Sequence, residues 1–294
     1  MRASVLVTCY RRRQYLPRSV ESARRDGADQ VVVVKDWADP VLDATLRSDG
    51  VVVITEDIPG IGAALARGLS ACDGEVVSFL DDDDLIVPGR LAAVRSGFES
   101  DPRVALVRNG YAEIDASDRP YRPPGGRRSQ PTAPERFAVS AMDRERLRWI
   151  VRYRAYGILS TLSIRREMLG PYLEELSSVE CGIDVAVPTL LMRDGFVHAF
   201  VPDPLSVHRV GSSLRGGTTS DDPAAFARTF RRLERTATTW GGREYAAMNA
   251  RWANLERLIG RRRLAGLQTL RAGTGRVSLR SIARILLPAP DRAP

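Results

Sequence analysis

Lysine is almost absent from this chain. Of its 44 basic residues only Lys35 is a lysine, and all the others are arginines. Against 36 acidic residues this leaves a formal charge of +8 and an isoelectric point near 9.9. Such a balance suits nucleic acid, anionic membranes or phosphorylated ligands. An arginine bias beside abundant alanine, glycine and aspartate also follows from GC-rich coding alone. Aromatic residues make up only 6%, without the basic and aromatic interleaving of single-strand platforms, which argues against nucleic acid as a partner. The three cysteines, Cys9, Cys72 and Cys181, form no C-x-x-C pair. That argues against a disulfide framework or a zinc site and suits a reducing cytoplasm. No run approaches the ~18 to 20 apolar residues of a membrane helix. The opening MRASVLVTCYRRR is too short an apolar run for a signal peptide. The expectation is a cytoplasmic protein, at most peripheral to the inner membrane face.

What is present is an alternation of short β-rich runs and helical segments. Ser4–Val7, Gln30–Val34, Val51–Ile54 and Glu75–Leu80 read as strands, the second an unbroken valine run of the kind buried on both faces. Between them Gln14–Arg25, Val41–Arg47 and Ile61–Cys72 read as helices, and another runs from Pro88 to Glu99. This order predicts an α/β, mainly parallel sheet flanked by helices, with ligands outside the carboxyl ends of the strands. Later expected elements are a strand at Arg103–Arg108, a helix at Asp143–Tyr153 and a strand at Ile158–Ile164. A helix at Ile183–Asp194 and two short strands at Phe196–Pro202 and Leu205–Val207 follow. Residues 117–135, rich in proline, glycine and arginine, read as a loop that either closes over an acceptor or is a surface insertion. From 216 the composition turns to arginine, alanine and leucine, suggesting helices broken near Gly241-Gly242 and a basic tail.

The sharpest local feature is FLDDDDLIVP, residues 79–88. Four adjacent carboxylates at a strand end repel one another unless a cation is present. A hard dication, Mg²⁺ or Mn²⁺, would relieve the conflict. If the turn stays extended, Asp81 and Asp83 point the same way. The bland alternative is a solvated acidic turn at a helix start.

The wider pattern carries a resemblance. SVLVTCYRRRQYLPRSVESA, VVVVKDWADP and PGIGAALARGLSACDGEVVSFLDDDDLIVPGRL resemble, in order and near-family spacing, the opening half of family 2 glycosyltransferases, which have the GT-A fold. VECGIDVAVPTLLMRDGFVHAFVPDPLSVHRVGSS resembles the family's later E-D segment more weakly. The resemblance implies a GT-A domain over 1–215, with a nucleotide-sugar half to about 110 and an acceptor half beyond it, and leaves 216–294 as a helical extension. It implies an inverting transfer of a sugar from a nucleotide-diphosphate donor, UDP favoured, to an acceptor hydroxyl. Asp184 falls at the general base. Thr8, Tyr10, Asp36 and Asp81 fall at nucleotide-binding positions, with Arg67 as a substitute contact. Asp83 falls at the metal ligand, with Asp81 and His208 as further metal candidates. Asp84 falls on the acceptor side, and Trp149, Tyr153 and Tyr156 are near enough in sequence to stack a sugar, unless they are core. Lys35, Leu65, Ala66 and Ile183 depart from the family pattern. As a helix-start aspartate, Asp184 also reads as a simple N-cap.

Two other functions compete with this one. A sugar-nucleotide nucleotidyltransferase would need a glycine-rich loop after the first strand, where this chain has CYRRRQYL. A catalytically degenerate nucleotide-sugar binder is supported by the departures and opposed by Asp81, Asp83 and Asp184. Arg228, Arg231, Arg232 and Arg235 share one helix face, and Arg261-Arg262-Arg263 adds a cluster. They suit an anionic membrane surface or, more plainly, packing on the catalytic domain or on a second copy in a homo-oligomer.

Overall fold

The computed structural model of the chain describes residues 1–10, 12–56, 60–121, 130–153, 155–211 and 222–259. The strands are β1 (Ala3–Cys9), β2 (Gln30–Lys35), β3 (Val52–Thr55), β4 (Val76–Asp81), β5 (Leu85–Ile86), β6 (Val104–Ile114), β7 (Glu135–Ala138), β8 (Leu162–Arg165) and β9 (Val197–Arg209). The helices are α1 (Leu16–Arg25), α2 (Pro40–Ser48), α3 (Ile61–Ala71), α4 (Arg90–Glu99), α5 (Arg144–Arg152), α6 (Arg166–Leu169), α7 (Leu173–Ser177), α8 (Ile183–Leu190), α9 (Pro223–Thr236) and α10 (Trp240–Ile259).

All the described strands join one sheet, in the order β3-β2-β1-β4-β8-β6-β9-β5, with β7 added on β9. The first four run parallel, as the alternation predicts. The valine and leucine runs of β1 and β2 feed two cores. Val5, Val7, Val31 and Val33 pack with α1 and α2, while Leu6, Val32 and Val34 pack with α3. Helices on both faces therefore explain why these strands lack polar alternation.

Beyond β4 the sheet becomes mixed. β8 is antiparallel to both β4 and β6, and β9 runs parallel to β6. The carboxyl ends of β1, β2, β4, β6 and β9 consequently share one edge. The two short strands expected after 195 are one long strand, β9. It stays continuous because its pairing with β6 slips at Gly110, where a β-carbon would lie 2.3 Å from the Pro202 carbonyl and only glycine fits. Likewise 158–164 begins as a 3-10 turn, Leu159–Thr161, before β8. The break between the last two helices falls at 237–239, ahead of Gly241.

Helices α9 and α10 contribute Phe226, Phe230, Leu233, Tyr245 and Ala250 to the same core as α3 and α8. The part of 216–294 that is described thus shares the sheet's core. Arg261–Arg263 and residues 122–129 of the expected loop lie outside the described residues.

Candidate active site

Strand β4 ends at Asp81, and the chain turns at once. The Asp84 N–H donates to the Asp81 carbonyl at 3.2 Å. The acids therefore do not continue extended, and the expected alternation of Asp81 and Asp83 gives way to a tight turn that sorts four carboxylates into different surroundings. Buried Ser19 of α1 sits beneath it, its hydroxyl 2.7 Å from the carbonyls of both Asp82 and Asp84. Ser19→Ala should cost about 1 to 3 kcal/mol by leaving buried carbonyls without a donor. A denaturant midpoint unchanged from that of the parent chain would show that the turn holds itself.

Positive charge reaches the turn from distant segments. Arg12, in the loop after β1, places Nη1 2.5 Å from Asp83 Oδ2 and pairs its Nη2 with Asp82 Oδ1. Burial opposes the Arg12 charge, but Asp82, Asp83 and Asp81 outweigh it and hold the guanidinium more firmly protonated. The Cys9 thiol donates to Asp82 Oδ2 at 3.0 Å. Burial, then the charge of Asp82, pushes that thiol up, so Cys9 is a donor and not a nucleophile. Burial also pushes the Asp82 carboxyl up to about 6, against the pull of Arg12 and Cys9.

The short strand β5 brings the end of β9 to the turn's far side, Leu85 pairing with Val207. There the Arg209 N–H donates to Asp84 Oδ1 at 2.8 Å, and Arg209 Nε to the Asp83 carbonyl at 3.0 Å. His208 Nδ1 lies 3.3 Å from Asp84 Oδ2. Burial works against the His208 charge, but the hydrogen bond and charge of Asp84, with Asp81 and Asp83, raise the imidazole to about 9. His208 is thus a cation toward the turn. Arg209 also holds Asp118 at 2.6 Å.

Asp81 is the acid least relieved. Its carboxyl stands well above the usual range, first through burial, then through Asp84, Asp83 and Asp82, with Arg12 only partly compensating. The Thr8 hydroxyl donates to its Oδ1 at 3.5 Å.

Asp184 lies in the first turn of α8. The N-cap of that helix is Gly182, with φ of 70° and the Phe226 ring 2.4 Å from where a β-carbon would stand, so Asp184 is not the cap. Its Oδ2 is 3.9 Å from the position a β-carbon would take at Gly157. Burial raises its carboxyl to about 6, while its own N–H, that of Val185 and the charge of His208 draw it down. The turn and Asp184 therefore share one cation, His208. Removing a proton from a hydroxyl is within the chemistry of the Asp184 carboxylate.

Other expected site residues fall differently. Tyr10 is exposed and Asp36 half-buried, both just beyond strand ends at the same edge. Lys35 turns away into the interior, 2.9 Å from Asp43 and over the Trp37 ring. Leu65 and Ala66 are buried in the core against α3's neighbours. Arg67 is on the surface, forked to Glu56 at 2.9 Å, so its guanidinium is committed to that carboxylate. Tyr156 is interior: its hydroxyl meets His198 Nδ1 at 2.5 Å and its ring packs on Phe200 and Tyr245, which corrects its placement as a sugar-stacking ring. Trp149 is half-buried against Tyr153 and Phe200. His198, fully buried, is drawn down to about 4 by desolvation and is a neutral core group. Arg12 and Arg209 were not singled out by sequence reasoning. The only signal for Arg12 is the arginine run after β1, which does not single it out.

The family model for glycosyl transferase family 2 matches residues 4–155, just over half of the chain. The chain is 29% identical over 127 residues to an uncharacterized glycosyltransferase of Nostoc sp., covering 40% of this chain and 39% of that one. It is 32% identical over 125 residues to the amylovoran biosynthesis glycosyltransferase AmsE of Erwinia amylovora, covering 38% and 46%. The matched segments thus span less than half the length of these curated relatives. Among solved structures, S. aureus TarS 1-349 in complex with UDP-GlcNAc aligns at a TM-score of 0.62 and 15% identity, over 97% of this chain and 80% of that one. This likeness shows the fold, the α/β sheet of the GT-A class.

Proposed function

Since this chain belongs to glycosyl transferase family 2, we propose that it is an inverting glycosyltransferase that moves a sugar from a nucleoside-diphosphate donor, UDP by preference, to an acceptor hydroxyl. The observation that carries this reading is the convergence on His208. It is hydrogen-bonded to Asp84 of the acidic turn and close enough to Asp184 to lower its carboxyl. The acidic turn and the candidate base thus act on the same imidazole.

In the proposed reaction Asp184 accepts the acceptor's hydroxyl proton as the oxygen attacks the anomeric carbon. The bond from that carbon to the diphosphate breaks on the opposite face. A carboxylate held near 6 is ionised at neutral pH yet a better proton acceptor than an ordinary aspartate. Thr8, Tyr10 and Asp36, at the ends of β1 and β2, are assigned to the nucleoside. TarS, which shares the fold, was solved with UDP-GlcNAc, and this supports the uridine preference.

The described residues offer no group of three ligating side chains already placed around a metal ion, and a divalent ion is proposed for the turn on two grounds. The donors are hard carboxylate oxygens, and Asp81 retains an unfavourable excess of negative neighbours even with Arg12 in place. Asp83 and Asp81 would hold Mg²⁺ or Mn²⁺, Asp83 sharing its carboxylate with Arg12. When bound, the ion neutralises charge developing on the leaving diphosphate. His208, the further candidate ligand, stands 3.3 Å from Asp84 at the turn's far side.

UDP with Mn²⁺ is expected to raise the melting temperature, by the equivalent of about 2.7 kcal/mol at a hundredfold excess over Kd. UDP alone should do less, and Asp83→Ala should remove the difference. If no nucleotide or nucleotide sugar shifts the melting temperature with either metal, the transferase reading is wrong. Binding without donor consumption would point to a degenerate binder.

A further inference from the structure

Two arginines, Arg90 of α4 and Arg108 of β6, are buried, and the fold satisfies them differently. Arg90 donates from Nε to Asn109 Oδ1 at 3.1 Å and from Nη2 to the carbonyls of Phe79 and Leu162 at 3.2 and 3.3 Å, with only Nη1 left over. Arg108 on β6 is just as deep, 2% exposed, yet neither its Nε nor its Nη1 has a hydrogen-bond partner. No ion pair reaches it among the described residues. Its contact is the Tyr111 ring, 5.5 Å from the guanidinium carbon to the centroid. A ring face attracts the charge but leaves the N–H groups unmet. Burial draws Arg108 down to about 10, with Tyr111 and Tyr156 working the other way, so it is still a cation at neutral pH.

A buried charge without a counter-ion is among the most costly arrangements a fold can keep. Its position suggests what it is kept for. Arg108 lies opposite Leu162 of β8 and Phe200 of β9. Tyr111, over which it sits, meets His208 edge-on at 6.3 Å between ring centroids. Tyr156, the other phenol it senses, precedes Gly157, the residue beside Asp184. The unpaired guanidinium is therefore grouped with the candidate base and away from the donor-side residues Thr8 and Asp36 on β1 and after β2.

We infer that Arg108 is the receptor for an oxyanion carried by the acceptor, a phosphate or a carboxylate, and that this protein takes an anionic acceptor in preference to a neutral one. A guanidinium presents a planar fork that matches both oxyanions through two parallel hydrogen bonds. The incoming group supplies the counter-charge that the fold omits. The inference rests on the transferase reading for the description of the bound molecule as acceptor, but anion binding at Arg108 stands or falls separately.

The test uses the full chain and three small probes, glycerol 3-phosphate, glycerate and glycerol, at constant ionic strength and with excess UDP and Mn²⁺ present to fill the donor pocket. Glycerol 3-phosphate, glycerate or both should raise the melting temperature, and glycerol should not. The larger of the two shifts identifies the oxyanion. Arg108→Met should abolish that shift and retain the one produced by UDP with Mn²⁺. The surface control, Arg231→Ala with Arg235→Ala, should keep both. Should Arg108→Met not yield folded protein, Arg108→Lys carries the comparison, because it keeps the charge and loses the fork, and should weaken anion binding at least several-fold. Equal anion shifts in the parent and Arg108 variants, shifts lost only in the surface control, or no anion shift at all would each overturn the inference. Absence of a shift from UDP itself would instead defeat the donor reading, and the Arg108 comparison would still be read without it.

Discussion

Asp184→Asn is expected to lose about a hundred- to ten-thousandfold of the transfer rate while binding the donor as the parent chain does. The substitution keeps the shape and removes only the ability to take a proton. Its neighbourhood makes the loss specific. Burial lifts Asp184 to about 6, and only the helix N–H groups and His208 keep it from rising further. The unsubstituted enzyme should therefore lose rate as pH falls through about 6, because a base must be unprotonated to act, and this limb of the profile should vanish in the variant. Stopped assays of sugar transfer between about pH 5 and 8 measure both effects. A folded asparagine variant with full turnover would remove Asp184 from the chemistry.

The second large effect belongs to a residue that makes no claim on the sugar. Arg12→Met should destabilise the fold by about 3 to 5 kcal/mol, the usual result of stripping one partner from a buried ion pair. It strips this ion pair from the fully buried Asp82 and the nearly buried Asp83. The sign of the pH dependence follows from linkage. The ordinary value for Asp82 is 3.8 and its folded value about 6. The folded state thus binds that proton more tightly, contributing stability that is present below 3.8 and lost as pH rises through about 6. Without Arg12 the folded value moves higher still. The deficit of the variant should accordingly shrink as pH is lowered from about 7.5 toward 5. Urea midpoints across that range check it, and a deficit independent of pH would mean that Arg12 acts through packing.

Much of the first half of the fold was legible because its strands are buried on both sides. A valine run such as Gln30–Val34 has few other readings, and β2 covers it almost residue for residue. The acidic turn and Asp184 were legible as residue types in a familiar order. What escaped was the turn's conformation, because the groups that set it come from far away: Arg12 is 71 residues from Asp83, and Arg209 is 126. The unity of β9 escaped as well. Val197–Arg209 contains Pro202 and Pro204, which read as a break, and only the slip in pairing at Gly110 lets the strand pass them. Tyr156 was ambiguous by nature, since an aromatic near a polar segment packs in a core as readily as it meets a sugar. Its bond to His198 decides that case.

The clasp of Arg209 on the Asp83 carbonyl and on Asp118 also bears on how the molecule comes into being. During synthesis the acids at 81–84 leave the ribosome long before residue 209 exists. Until that arginine arrives, the turn has Arg12 on one side and lacks its clasp on the other. The first half of the chain is therefore a template awaiting its last stitch, and a nascent chain halted near residue 110 should expose this turn to protease even where its valine-rich strands have already closed.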